Sequence, residues 1–134
     1  MSKSLVILLA FATAFVVTLS FQPKRSALAA PTASLTPAQK SSLAKCLTKK
    51  GVKLYGTAWC HYCKLQKEAF GPAAKDLPYI QCNVIIGEPL APVCQQAGID
   101  SFPTWILPDG RRIVGYIGDN DLPALAETAH CPLN

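Results

Sequence analysis

Read as a pattern of apolar and polar positions, the chain opens on a near-continuous apolar run, Leu5 to Phe21, and changes period after it. In "LTPAQKSSLAKCLTKKG", residues 35 to 51, Leu43 and Leu47 recur at helical spacing with Cys46 beside them, which predicts a helix with one packed face. Both ends are marked. Thr36 caps, Pro37 takes the first helical position and Gln39 completes a capping box, while Gly51 stops the helix after Lys49 and Lys50 have met the negative end of its dipole. "VKLY" at 52 to 55 reads as a short strand, Gly56 as a turn, and Cys60 to Phe70 as a second helix interrupted by Gly71 and Pro72. "LPYIQCNVII", 77 to 86, reads as a strand with Pro78 at its start. A loop with Pro89 and Pro92 leads to a short helix over Val93 to Ala97, ended by Gly98. "PTWIL", the turn "PDGR" and "RIVGY" form a hairpin, and a closing helix runs from Asp121 to Ala129 with Pro123 in its first turn.

The order is helix, strand, helix, strand, helix, strand, strand, helix. Alternation followed by a terminal hairpin predicts an α/β sandwich whose sheet is mixed.

The opening apolar run changes where the folded part begins. Lys3 before the run, and the small residues of "SALAAP" with Ala27 and Ala29 after it, follow the grammar of a secretory signal peptide cleaved after Ala29 or Ala30. The competing reading is an uncleaved anchor, because the run approaches the length that spans a hydrocarbon core of roughly 30 Å; Lys24 and Arg25, placed between the run and the cleavage site, fit a signal less well. Residues 1–30 are thus the export segment, 31–35 a short linker and 36–134 a single domain. Of thirteen basic residues, Lys3, Lys24 and Arg25 fall before it, leaving ten against eight acidic ones. So small a surplus gives no reason to invoke nucleic acid or an anionic membrane as partner.

The domain carries all six cysteines: Cys46, Cys60, Cys63, Cys82, Cys94 and Cys131. An even number in an exported chain reads as disulfides, with 15 pairings open. In "YGTAWCHYCKLQKEAFG", residues 55 to 71, Cys60 opens a helix and Cys63 follows one turn later. Unpaired N–H groups and the positive end of the dipole stabilise a thiolate at such a position, which predicts Cys60 as nucleophile and the shielded Cys63 as resolving thiol. Downstream, Pro103 after Phe102 in "SFPTW" is a candidate cis peptide bond that leaves backbone at its edge free for an extended peptide. Two other readings of the cysteines compete: an inert staple, which gains little from closing so short a loop, and a zinc site using Cys60, Cys63, Cys82 and Cys94. The second pair has eleven residues between its members, wider than zinc spacing, so no metal is expected.

These stretches, with "PYIQC" and "GIDSFPTWILPDGRRIVGY", resemble the thioredoxin superfamily. More narrowly, they resemble the thioredoxin-like domain fused to, or partnered with, bacterial and plant vitamin K epoxide reductase homologues; the resemblance covers residues 43 to 131. It implies a thioredoxin-like fold, a central mixed four-stranded sheet flanked by helices, here with an extra N-terminal helix. It implies an exported thiol–disulfide oxidoreductase of periplasm or thylakoid lumen, without cofactor, that exchanges disulfides with substrate proteins. A quinone-linked membrane oxidoreductase would re-oxidise it, and the domain would act as a free-standing monomer. The resemblance also pairs Cys82 with Cys94, although a relay role for that pair stays open; Cys46 and Cys131 are left to clamp the two ends of the domain. The alternative function is a non-enzymatic, disulfide-stapled binding or assembly factor that uses the groove alone.

The chain departs from that family in two places. The family commonly has Pro-His between the cysteines, and here stand His61 and Tyr62, so its oxidising strength does not carry over. Thioredoxins proper carry a buried acid six residues before the first cysteine, where this chain has Leu54; Lys53, Glu68 and His61 are merely near in sequence, so no proton acceptor is identified. Trp59 and Tyr62 are expected as an apolar rim for a peptide, with His61, Phe102 and Pro103 completing the substrate-binding set. Trp105 is assigned to the core, and Lys64 and Lys67 to a solvated helix face.

Overall fold

The structure, a computed structural model, describes residues 34–133; the export segment expected over residues 1–30 lies outside the described residues. The first helix, α1 (Pro37–Lys49), begins at Thr36 with both halves of the capping box made, and the backbone turns away at Gly51 with φ +79°. Leu43, Ala44 and Leu47 are its buried face. Strand β1 (Lys53–Thr57) follows, then α2 (His61–Phe70), which runs into a 3₁₀ segment (Gly71–Asp76). After it come β2 (Tyr79–Asn83), α3 (Pro92–Gln96), the hairpin of β3 (Thr104–Ile106) and β4 (Arg112–Val114), and α4 (Leu122–Thr128). In the hairpin turn, Asp109 accepts the Arg111 N–H at 3.0 Å, and Gly110 takes φ +85°.

The four strands form one sheet in the order β2-β1-β3-β4. β1 runs parallel to β2 and antiparallel to β3, and β3 is antiparallel to β4, so the sheet is mixed. With helices on both faces, this is the arrangement of a thioredoxin-like fold. Its central strand is buried on both sides, because alternate residues of β1 enter different cores. Leu54 joins Trp105, Phe70, Leu43, Leu47 and Leu122 on one face. Tyr55 joins Cys82, Cys94 and Ile99 on the other.

Two expectations from the sequence are corrected. Gly56 lies inside β1 and not in a turn: glycine is needed there for a close approach, described below. The strand expected over residues 77 to 86 ends at Asn83, whose side chain diverts the chain by accepting the Ile85 N–H at 2.6 Å and donating to the Glu88 carbonyl at 2.5 Å. Val84, Ile85 and Ile86 consequently lie exposed. Apolarity at these three positions resembles a strand interior, but no neighbouring strand pairs with them.

Covalent bonds reinforce both layers. Cys46 of α1 is bonded to Cys131, just after α4, across 85 residues, and Cys82 of β2 is bonded to Cys94 of α3. A third tie is polar. Gln66, on the inner face of α2 and fully buried, donates to the Ile117 carbonyl at 3.0 Å and accepts from the Ile117 N–H at 2.8 Å and from Trp105 Nε1 at 3.4 Å. Both ends of its amide are satisfied, which is what burial of an amide demands.

Two stability predictions follow from these ties. Replacing Cys46 and Cys131 together by serine removes a long-range loop constraint from the unfolded chain and should lower the unfolding free energy in urea by about 4 kcal/mol. Gln66→Leu keeps the volume but orphans two N–H groups and a carbonyl; it should cost about 2–3 kcal/mol, read as a lower urea midpoint at unchanged slope.

Candidate functional site

Strand β1 and helix α2 meet through a three-residue link, Ala58 to Cys60. The link is anchored to β2, where the Asn83 carbonyl accepts the Ala58 N–H at 3.0 Å. Cys60 is therefore the N-cap of α2, with extended backbone at φ −72° and ψ 117°. Its sulfur, where Ser or Asp would ordinarily put an oxygen, accepts the N–H of Cys63 at 3.2 Å. The geometry aims first-turn N–H groups and the positive end of the helix dipole at this sulfur.

Cys60 and Cys63 are both free and both buried, Cys60 at 7% exposure and Cys63 at 1%. Small as it is, the difference fits their positions, one at the mouth of the helix and one a turn inside it. Burial pushes the Cys63 thiol up to about 12, and the neighbouring Cys60 adds to the shift; the Thr57 amide and the Lys67 ammonium oppose it. At neutral pH this sulfur carries its proton.

Beneath Cys63 lies Gly56. A Cβ built there would stand 2.9 Å from Cys63 Sγ and 2.8 Å from Cε2 of Tyr79, and closer still to the Tyr79 hydroxyl. Only glycine lets helix, strand and phenol meet at this point. Tyr79 gets there through the register of β1 and β2, which sets it beside Leu54 on the face that α2 covers. Leu54, at the position where thioredoxins carry an acid, is fully buried in the core.

The rim residues divide into two groups. Trp59, 41% exposed, meets the ring of Phe102 edge-on at a centroid distance of 6.1 Å, and its indole N–H donates to Asn83 Oδ1 at 3.3 Å. Phe102 precedes Pro103 through a cis peptide bond; Pro103 is buried, and its carbonyl accepts the Gly115 N–H at 2.8 Å. Trp59, Phe102 and Pro103 thus form one connected wall. His61 and Tyr62 stack edge-to-face on each other at 5.6 Å, both exposed on the first turn of α2. Lys64 is solvated, but Lys67 differs from the sequence expectation: its ammonium lies 3.7 Å from the centroid of the Tyr79 ring. Trp105 is a core residue with no exposure.

Sequence reasoning missed Gly56, Gln66, Tyr79 and Asn83 at this site. A glycine four residues before a Cys-x-x-Cys and inside a strand was the one available signal. The other three are contacts across 24 residues or more of chain, or across the sheet register.

Chemically, the arrangement can cycle a short disulfide between neighbouring sulfurs at a surface. A cleft of about 490 Å³, lined by Lys53, Tyr55, Ile106 and Arg112, lies away from the pair. Among the described residues there is no cluster of His, Cys, Asp and Glu side chains able to hold a metal, and no helix long and apolar enough to cross a membrane. No protein-family model matches the chain. Over 90 residues it is 41% identical to the thiol-disulfide oxidoreductase LTO1 of Arabidopsis thaliana, a match that takes in 64% of this chain and 23% of that protein. The chain thus spans less than a quarter of the length of that relative, and the similarity supports a thioredoxin-like redox protein.

Proposed function

We propose that this protein is an exported thiol–disulfide oxidoreductase that exchanges disulfides with substrate proteins through Cys60 and Cys63. The observation that carries this reading is the Cys60 sulfur at the N-terminus of α2, receiving the Cys63 N–H at 3.2 Å, while the other four cysteines are locked in two disulfides. The similarity to an oxidoreductase whose name states the same chemistry supports it.

In the mechanism, Cys60 attacks and Cys63 resolves. An anion developing on Cys60 meets an N–H donor and the positive end of a helix dipole, whereas Cys63 is buried and protonated until it is needed. A substrate disulfide accepts the Cys60 thiolate and releases one thiolate, leaving a mixed disulfide. Cys63 then gives up its proton, attacks the Cys60 sulfur and expels the second substrate thiolate. The protein pair loses two electrons and the substrate gains two; running backwards, the same steps donate a disulfide.

Trp59 and Phe102, with the buried Pro103 behind them, form the wall against which an extended substrate segment rests, and His61 and Tyr62 flank it on the helix side. Because the side chains that border the pair, Trp59, His61 and Tyr62, are exposed, the fitting substrate is another protein. Residues 1–30 carry the chain to an oxidising compartment, periplasm or thylakoid lumen. A quinone-linked membrane oxidoreductase of the vitamin K epoxide reductase type supplies or removes electrons.

In an insulin-type exchange assay, Cys60→Ser should abolish activity, and Cys63→Ser should accumulate mixed disulfides that a non-reducing gel detects. A Cys60→Ser protein of unchanged activity overturns the assignment. A glutathione redox titration, reading Cys60 and Cys63 by differential alkylation and mass spectrometry, gives the direction. A potential of about −120 to −180 mV marks a disulfide donor and one near about −270 mV a reductant. A pair that stays closed throughout marks a stapled binding factor instead.

A further inference from the structure

The resolving sulfur poses a problem that the exchange mechanism leaves open. Cys63 is 1% exposed, so water cannot readily solvate the thiolate that must form there in either direction of exchange. Among the described residues, Cys60 and Lys67, both on or at the head of α2, are the side chains that shift its thiol, and neither is a carboxylate. Leu54 offers none from β1.

From β2 comes a group that the sequence did not single out. The Tyr79 hydroxyl and the Cys63 sulfur crowd the same face of Gly56, close enough for a small rotation of the O–H to bring it to the sulfur. With the thiol protonated, the phenol's own O–H is parked on the Thr57 carbonyl at 3.3 Å, a long bond that is readily given up. Burial and the two thiols hold the phenol above its ordinary titration range, so it keeps its proton and has an O–H to donate. The Lys67 ammonium sits over the ring, 3.7 Å from its centroid. A cation over the ring draws electron density from the hydroxyl and strengthens it as a donor.

We propose that Tyr79, backed by Lys67, is the built-in partner of the Cys63 thiolate: its O–H swings from the Thr57 carbonyl to the sulfur whenever that sulfur becomes an anion. This rests on the exchange function proposed above and adds a residue to it. During resolution, Cys63 loses its proton to solvent, Tyr79 donates to the thiolate, the Cys60–Cys63 bond forms, and the Cys60–substrate bond breaks; the departing substrate thiolate takes a proton from solvent. In the reverse direction a substrate thiolate attacks Cys60, and Cys63 leaves as a thiolate directly into the Tyr79 hydrogen bond before solvent protonates it. Tyr79 is neither oxidised nor deprotonated in either direction.

The test mixes the reduced full chain with glutathione disulfide, quenches with acid at intervals and follows the Cys60–glutathione adduct by mass spectrometry. Tyr79→Phe removes the hydroxyl but keeps the ring and its contact with Lys67. The adduct should form at the wild-type rate, because Cys60 does not depend on Tyr79, and should decay about tenfold more slowly at pH 7, the loss of one hydrogen bond to a charged sulfur. The pH profile of decay should also move to higher pH, since Cys63 then ionises less readily. Lys67→Met removes the cation over the ring together with the ammonium's direct pull on the Cys63 thiolate, so it should slow decay and shift the profile upward as well; Tyr79→Leu, which also lacks the hydroxyl, carries the test if Tyr79→Phe does not fold. Decay rates and pH profiles equal to wild type in these variants overturn the role of Tyr79. A wild-type chain that forms no Cys60 adduct overturns instead the exchange function itself.

Discussion

The closeness of α2 to β1 at Gly56 is the constraint on which the rest of the site depends. A side chain there would collide with the Cys63 sulfur and the Tyr79 ring, so the absence of one lets the first turn of the helix settle onto the strand. One turn further along, Gln66 is then low enough to grip both backbone groups of Ile117 and the indole of Trp105. Glycine at one end and a fully used amide at the other fix the height of the helix. That height decides how deeply Cys63 is buried and what surrounds it.

Around this contact the chain is held by bonds that do not take part in it. The Cys46–Cys131 bond closes the α1 and α4 side, and the Cys82–Cys94 bond closes the α3 side, so each face of the sheet has its own staple. A domain of this size has a limited core, and covalent closure of both layers holds the frame while Cys60 and Cys63 stay unbonded. Asn83 does the equivalent work for the rim: one side chain ends β2, shapes the following loop and holds the Trp59 indole. The wall formed by Trp59 and Phe102 is thus positioned by a residue that would never contact a substrate. Two thiols of unequal burial, set beside a fixed wall, are what the proposed division between attack and resolution rests on.

Much was legible along the chain because it is local. The capping box of Thr36 and Gln39, the glycine stops at Gly51 and Gly98, the Asp109–Gly110 turn and the position of Cys60 at the head of a helix each depend on residues within about one turn of one another. Alternation of strands and helices with a final hairpin also specified a mixed sheet. Local pattern misled where apolar residues lacked a partner strand, at Val84 to Ile86, and where a glycine served packing instead of turning, at Gly56.

What the sequence by itself determined is therefore the set of elements, their order and the placing of Cys60 and Cys63 one turn apart at the head of a helix, since caps, turns and helical spacing act between near neighbours. Only the tertiary structure decided what those sulfurs feel. Tyr79 reaches Cys63 through the register of two parallel strands, and Lys67 turns from the solvent face to the Tyr79 ring. Gln66 and Asn83 find their partners across the fold. Burial and hydrogen bonding are set by groups far apart in the chain, and no local pattern encodes which of them will meet.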